Sequence, residues 1–141
     1  GGMVKYELLE GITADVGIRA FGRTPEELFA NAGYALFDLL VENLEDVRPE
    51  VEVEVELEAE GWEDLLVGWL RELLYLYEVR REVLCEFEVE EIDERHVSAL
   101  CRGEELDPER HIPGMEIKAV TYHNLSVVRQ DGWRAEVVFD V

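Results

Sequence analysis

The chain has 141 residues, 48% hydrophobic and 33% charged, which is the balance of one globular domain and not of a disordered segment. It carries 34 acidic against 13 basic residues, a formal charge of −21. That field repels phosphate backbones and anionic lipid surfaces, so direct nucleic-acid binding is not expected as the main role; a basic protein or a cation is easier to defend as a partner, and a broadly solvated acidic surface is the simpler reading of the charge.

Gly1-Gly2 ahead of Met3 reads as a cloning remnant, leaving a single domain expected over 3–141. No apolar run approaches the roughly 20 residues of a membrane span, no secretory signal is visible, and the expected location is the cytoplasm. Val4 to Leu8 reads as a short strand, followed by a loop at Glu10-Gly11. The next strand alternates Ala14, Val16, Ile18 and Ala20 with Asp15, Gly17, Arg19 and Phe21, and ends near Gly22. Asp and Gly are poor strand formers, yet they share one face here. Gly17 leaves space beside Asp15 for a ligand or another chain segment.

"RTPEELFANAGYALFDLLVE" reads as a helix. Thr24 is its N-cap, Pro25 takes the first helical position, and Glu27 completes a capping box. Leu28, Ala32, Ala35, Leu36, Leu39 and Leu40 form its apolar stripe. Gly33 weakens the helix slightly or admits another backbone. "VEVEVELEAE" alternates perfectly, with Val51, Val53, Val55, Leu57 and Ala59 on one face and five glutamates on the other. A solvated face that discourages sheet aggregation explains the glutamates better than a metal ladder, because nothing closes a coordination shell. "GWEDLLVGWLRELLYLYEVR" is the second helix, burying Leu65, Leu66, Trp69, Leu70, Leu73, Leu74 and Tyr77.

The remainder is strand-rich. "VLCEFEVEEID" and "HVSALCRGEEL" form a hairpin turning near Asp93-Glu94, and "LDPERHIPG" is a loop. "MEIKAVTYHNLSVVRQDGWRAEVVFDV" gives a strand, a break near Asn124 and a hairpin across Asp131-Gly132. The order βαβαβ followed by antiparallel strands argues an α+β fold, with two helices packed on antiparallel sheets. Cys85 and Cys101 lie on the apolar faces of neighbouring strands. Reduced core packing is their expected state, and a cross-strand disulfide is the alternative.

Few residues carry chemistry. Asp15, Asp140 and Val141, the last with its α-carboxylate and carbonyl, are hard oxygen donors. If the last strand pairs near the Asp15 strand they suit Ca²⁺, Mg²⁺ or Mn²⁺, with waters completing the shell. Lys118, on a strand with Val120 and Tyr122, meets either a neighbouring glutamate or a partner's phosphate or carboxylate. His96, His111 and His123 lack zinc spacing, although His111 and His123 both lie near the Lys118 strand. Ser98 and Ser126 have no nucleophile elbow, and Gly103 and Gly114 form no phosphate-cradling loop. A stand-alone metal-dependent hydrolase using Asp15, Asp140 and a histidine lacks a nucleophile or base pair.

Four segments in order, "TADVGIRAFGRTPEELFANAGYALFDL", "LLVGWLRELLYL", "LDPERHIPGMEIKAVTYHNLSV" and "DGWRAEVVFDV", resemble the archease family from Tyr6 to Val141. The resemblance implies a non-enzymatic activator of the RtcB-type RNA ligase of tRNA splicing and RNA repair. Such a protein promotes guanylylation of the ligase's active-site histidine and permits multiple turnover, with GTP used by the ligase and a divalent metal. An older family proposal is a chaperone-like modulator of tRNA-modifying enzymes. The resemblance places a divalent-cation site at Asp15, Asp140 and Val141, and a contact for a transiently bound ligase at Lys118, Thr121, Tyr122 and His123. Many members carry His directly before "TAD", whereas this chain has Ile12, which removes any role of that histidine.

Overall fold

The computed structural model describes residues 4–12 and 15–141. Ala14, expected on the apolar face of the second strand, lies outside them. The elements in order are β1 (Tyr6–Leu8), β2 (Asp15–Gly22), α1 (Pro25–Leu40), a 3-10 turn (Leu44–Asp46), β3 (Val51–Glu58), α2 (Trp62–Glu78), β4 (Glu82–Asp93), β5 (His96–Glu105), β6 (Ala119–Val120), β7 (Ser126–Arg129) and β8 (Trp133–Asp140). Two strands therefore precede the first helix.

Capping chemistry starts α1. The Thr24 hydroxyl accepts the Glu27 N–H at 3.1 Å, and Pro25 opens the helix. The Glu27 carboxylate reaches back to the N–H of Arg23, not of Thr24, at 3.1 Å, and pairs with the Arg23 guanidinium. The six stripe residues are buried, as are Phe29, Gly33 and Phe37. The stripe is broad because α1 touches both sheets. What approaches Gly33 is not backbone: a Cβ there would stand 3.0 Å from the Leu73 and Phe87 side chains. Helix α2 begins at Gly61, whose φ of 124° suits glycine. It ties itself to α1 through the buried Trp69 indole, which donates to the Phe29 carbonyl at 2.9 Å.

The first sheet runs β1-β2-β8-β6, with β7 also pairing β8; the second runs β3-β5-β4, and every pair is antiparallel. Both helices contact strands of both sheets, so the helix pair lies between them over one continuous core. Burying a Leu or Phe there stabilises the fold by roughly 1.5–3 kcal/mol each. In the second sheet Val53 opposes Cys101 and Val55 opposes Ala99 on the inner face, while the glutamates point outward. Outside, Arg102 is flanked by Glu52 at 3.0 Å, Glu86 at 3.7 Å and Glu88 at 2.8 Å. Register shifts at Cys85 and Glu90 keep Leu84, Phe87, Val89 and Ile92 facing inward. Both cysteines are free, and desolvation raises their thiols, Cys85 to about 11 and Cys101 to about 12.

One expectation fails in part: the strand over "MEIKAVTYH" shrinks to Ala119–Val120. Upstream, the chain instead satisfies the carbonyls at the end of α1. Gly114 N–H donates to Leu40 at 2.8 Å and Met115 N–H to Leu39 at 2.7 Å. Downstream, Asn124 adopts φ 53° and turns the chain. Lys118, Thr121, Tyr122 and His123 therefore flank a strand and are not on it.

Candidate metal and partner-binding corner

Asp15 opens β2 and Asp140 closes β8, and the two are direct partners in the antiparallel register. Ala119 opposes Asp140 from the other side. Directly opposed residues share a face, with Cβ atoms roughly 4.5–5.5 Å apart. The first aspartate and the chain's last strand thus meet at one corner of the first sheet. Asp15 is half-buried, Asp140 exposed and Val141 38% exposed. Neither aspartate has an ion-pair partner among the described residues. Like charges directly opposed on a sheet are unfavourable unless a cation lies between them. Two carboxylates with the Val141 backbone oxygens are a donor set for a hard divalent cation. No cluster of three His, Cys, Asp or Glu side chains fit for a metal occurs among the described residues, so a cation held here would need further ligands from backbone, water or a partner.

Gly17, two residues along on the same face, admits chain and not ligand. A Cβ there would stand 2.9 Å from Leu9 Cδ1 and 3.4 Å from Ile12 Cγ1. The connection after β1 folds over Gly17 and walls a groove of about 480 Å³, whose polar side is Glu7, Glu10, Arg19, Asn124 and Glu136. Arg19 bridges Glu7 at 2.6 Å and Glu136 at 3.0 Å across three strands. Ile12 has its use here as packing against Gly17.

The Lys118 segment reaches the same corner. Lys118 N–H donates to the Asp140 carbonyl at 2.7 Å. Its side chain is exposed and has no carboxylate partner among the described residues, so the expected pairing with a neighbouring glutamate is not what the structure has. Thr121 donates both its N–H, at 3.1 Å, and its hydroxyl, at 2.8 Å, to the Val138 carbonyl. The same hydroxyl accepts from His123 N–H at 3.3 Å. Tyr122 lies outside, 51% exposed, 5.2 Å beneath the Arg71 guanidinium.

His111 and His123 have different neighbours. His111 is buried, with Nδ1 accepting the Asp107 N–H at 2.9 Å and Nε2 3.6 Å from Glu104. His123 is exposed in the turn. His96 sits on the outer face of the second sheet, 2.9 Å from Glu56, a hydrogen bond that raises its pKa. Sequence reasoning passed over Arg71, Leu9 and Arg19. Arg71 had a signal, being the one base in α2; Leu9 and Arg19 had none, because their partners lie on other strands.

Fold and corner together define a small acidic protein, two antiparallel sheets around a helix pair, with paired carboxylates beside an exposed polar turn. The profile of the Archease protein family matches residues 6–141. "Protein archease" of Methanosarcina mazei is 46% identical, covering 97% of this chain and 96% of its own. That of Methanopyrus kandleri is 44% identical over 92% and 94%. The solution structure of Methanobacterium thermoautotrophicum protein 1598 superposes with a TM-score of 0.82 at 33% identity, covering 97% of this chain and 99% of that one. A crystal structure from Thermotoga maritima, called an archease and possible chaperone, shares the fold at a TM-score of 0.63 and 23% identity, covering 92% of this chain and 93% of that one. The chain belongs to the archease family.

Proposed function

We propose that this protein activates an RtcB-type RNA ligase, promoting guanylylation of the ligase's active-site histidine and multiple turnover without forming bonds itself. The observation that carries this role is the pairing of Asp15 with Asp140 on one face, with Lys118 hydrogen-bonded to the Asp140 carbonyl. Asp15, Asp140 and the Val141 backbone oxygens would hold a divalent cation, Ca²⁺, Mg²⁺ or Mn²⁺. When bound, the cation neutralises the paired carboxylates and supplies a positive centre with coordination positions open to a partner. Lys118 offers a strongly hydrated point charge for a phosphate or carboxylate of the ligase. Thr121 is committed to Val138 and orients the turn, leaving Tyr122 and His123 to touch the partner. An RNA ligase presents a basic surface to its substrate, and a partner of charge −21 docks there rapidly but must leave before RNA enters. Association is therefore transient, and GTP is bound by the ligase.

The test is single-turnover guanylylation of a matched ligase with GTP and metal. The wild-type protein should accelerate it, while folded Asp15→Ala and Lys118→Ala variants should not. Full stimulation by both variants would remove the assigned residues. Stimulation that tolerates loss of both aspartates would instead favour a general chaperone.

A further inference from the structure

Helix α2 carries one basic residue, Arg71, among aspartate and glutamates. Its guanidinium carbon lies 5.2 Å from the centroid of the Tyr122 ring, and its Nη2 donates to the Val120 carbonyl at 3.2 Å. Desolvation first, and the Asp64 carboxylate second, raise the Tyr122 phenol above its ordinary value. With half its surface in water, Tyr122 is not held by burial. It is held by the Arg71 guanidinium on its face.

The opposite side of the segment is fixed independently. Thr121 binds Val138 twice, Lys118 N–H binds the Asp140 carbonyl, and Leu125 N–H closes the turn on Tyr122 at 3.3 Å. Asn124 sits at φ 53°, a conformation that costs a non-glycine residue unless its surroundings enforce it. Two tethers from α2 thus act on a turn that β8 anchors from one side alone.

We propose, resting on the activator reading above, that Arg71 is a positioning residue: it clamps Tyr122 and Val120 onto α2 and so fixes the direction in which residues 118–123 meet the partner. It need not touch the ligase. The stack on Tyr122 and the bond to Val120 are together worth about a factor of ten in the population of the aligned turn. A partner that reads the aligned turn binds correspondingly more weakly without them, whereas the plateau of stimulation is unchanged.

The test has two arms. In ¹⁵N-labelled protein, Arg71→Ala should shift or broaden the amides of Ala119–Leu125 and leave those of the β3-β5-β4 sheet in place. In the guanylylation assay, Arg71→Ala should raise the protein concentration for half-maximal stimulation about tenfold at an unchanged plateau. Arg71→Lys, which keeps a cation for the Tyr122 ring, should raise the half-point by less than Arg71→Ala does. Unmoved amides with a raised half-point would mean that Arg71 meets the partner directly, which overturns the positioning role. Moved amides with an unchanged half-point overturn it too. If the wild-type protein stimulates nothing, the activator reading fails, and the amide arm decides by itself whether Arg71 holds the segment.

Discussion

Replacing Asp140 with Asn tests the carboxylate corner through stability alone, without a ligase. Asn has nearly the same shape and keeps one oxygen donor, but removes the charge that faces Asp15 across the register. At a separation of roughly 5 Å two unit charges repel by about 0.8 kcal/mol in water, and a few-fold more where solvent is partly excluded. Asp140 is exposed and Asp15 half-buried, so about 1 kcal/mol is the appropriate magnitude. In a chelating buffer at low ionic strength, D140N should therefore be more stable than wild type by about 1 kcal/mol. A saturating cation should reverse the order, since a ligand at a hundred times its Kd stabilises the wild type by about 2.7 kcal/mol and the variant far less. Urea denaturation followed by circular dichroism measures both, because urea, unlike guanidinium, does not screen charge. A variant less stable than wild type in chelator, or a wild type that gains no more from Ca²⁺, Mg²⁺ or Mn²⁺ than the variant does, would refute the cation-holding corner.

Other expectations follow from the fold. A Cβ at Gly103 would stand 1.8 Å from the Val83 carbonyl, which is backbone and cannot move aside; Gly103→Ala should cost about 3 kcal/mol or more in urea unfolding. Burial pushes the Glu104 carboxyl up, but the Arg48 N–H and the Arg110 guanidinium outweigh it and hold the carboxyl below its ordinary value. A lowered folded value contributes stability above the ordinary glutamate value and loses it as pH falls through the folded value, so Glu104→Gln should flatten the acid limb of stability below about pH 4.5. With thiols raised to about 11 and 12, Cys85 and Cys101 should resist a thiol reagent at pH 8 in the native protein and both react in urea.

Much of the fold was legible because local signals agreed with tertiary ones. Thr24, Pro25 and Glu27 set the start of α1, and the Val-Glu alternation set the faces of β3 before either had a partner. β4 was harder, because "VL" and "EE" break strict alternation at the places where register shifts restore it. The corner was half legible. Asp15 and Asp140 were suspects by residue type, but only the β2–β8 register makes them neighbours. The run before Lys118 misled because strand-like residues there serve the end of α1, an obligation that arises only once the chain is folded. Gly17 declared a vacancy without naming its occupant; Leu9 and Ile12 fill it through a loop conformation that no periodicity encodes.

Strand β8 lies in the interior of its sheet, bonded to β2 on one flank and to β6 and β7 on the other. It also follows every one of those neighbours in sequence. During translation the β3-β5-β4 sheet can close while β2 still waits beside α1 with one edge open. Translation must run through β8 before that gap is filled, so this layer closes only after β8 meets strands far back in the sequence, at a loop-closure cost that the β3-β5-β4 sheet does not bear. The aspartate corner comes into being in that same step, and a chain clipped ahead of β8 has no such corner to offer.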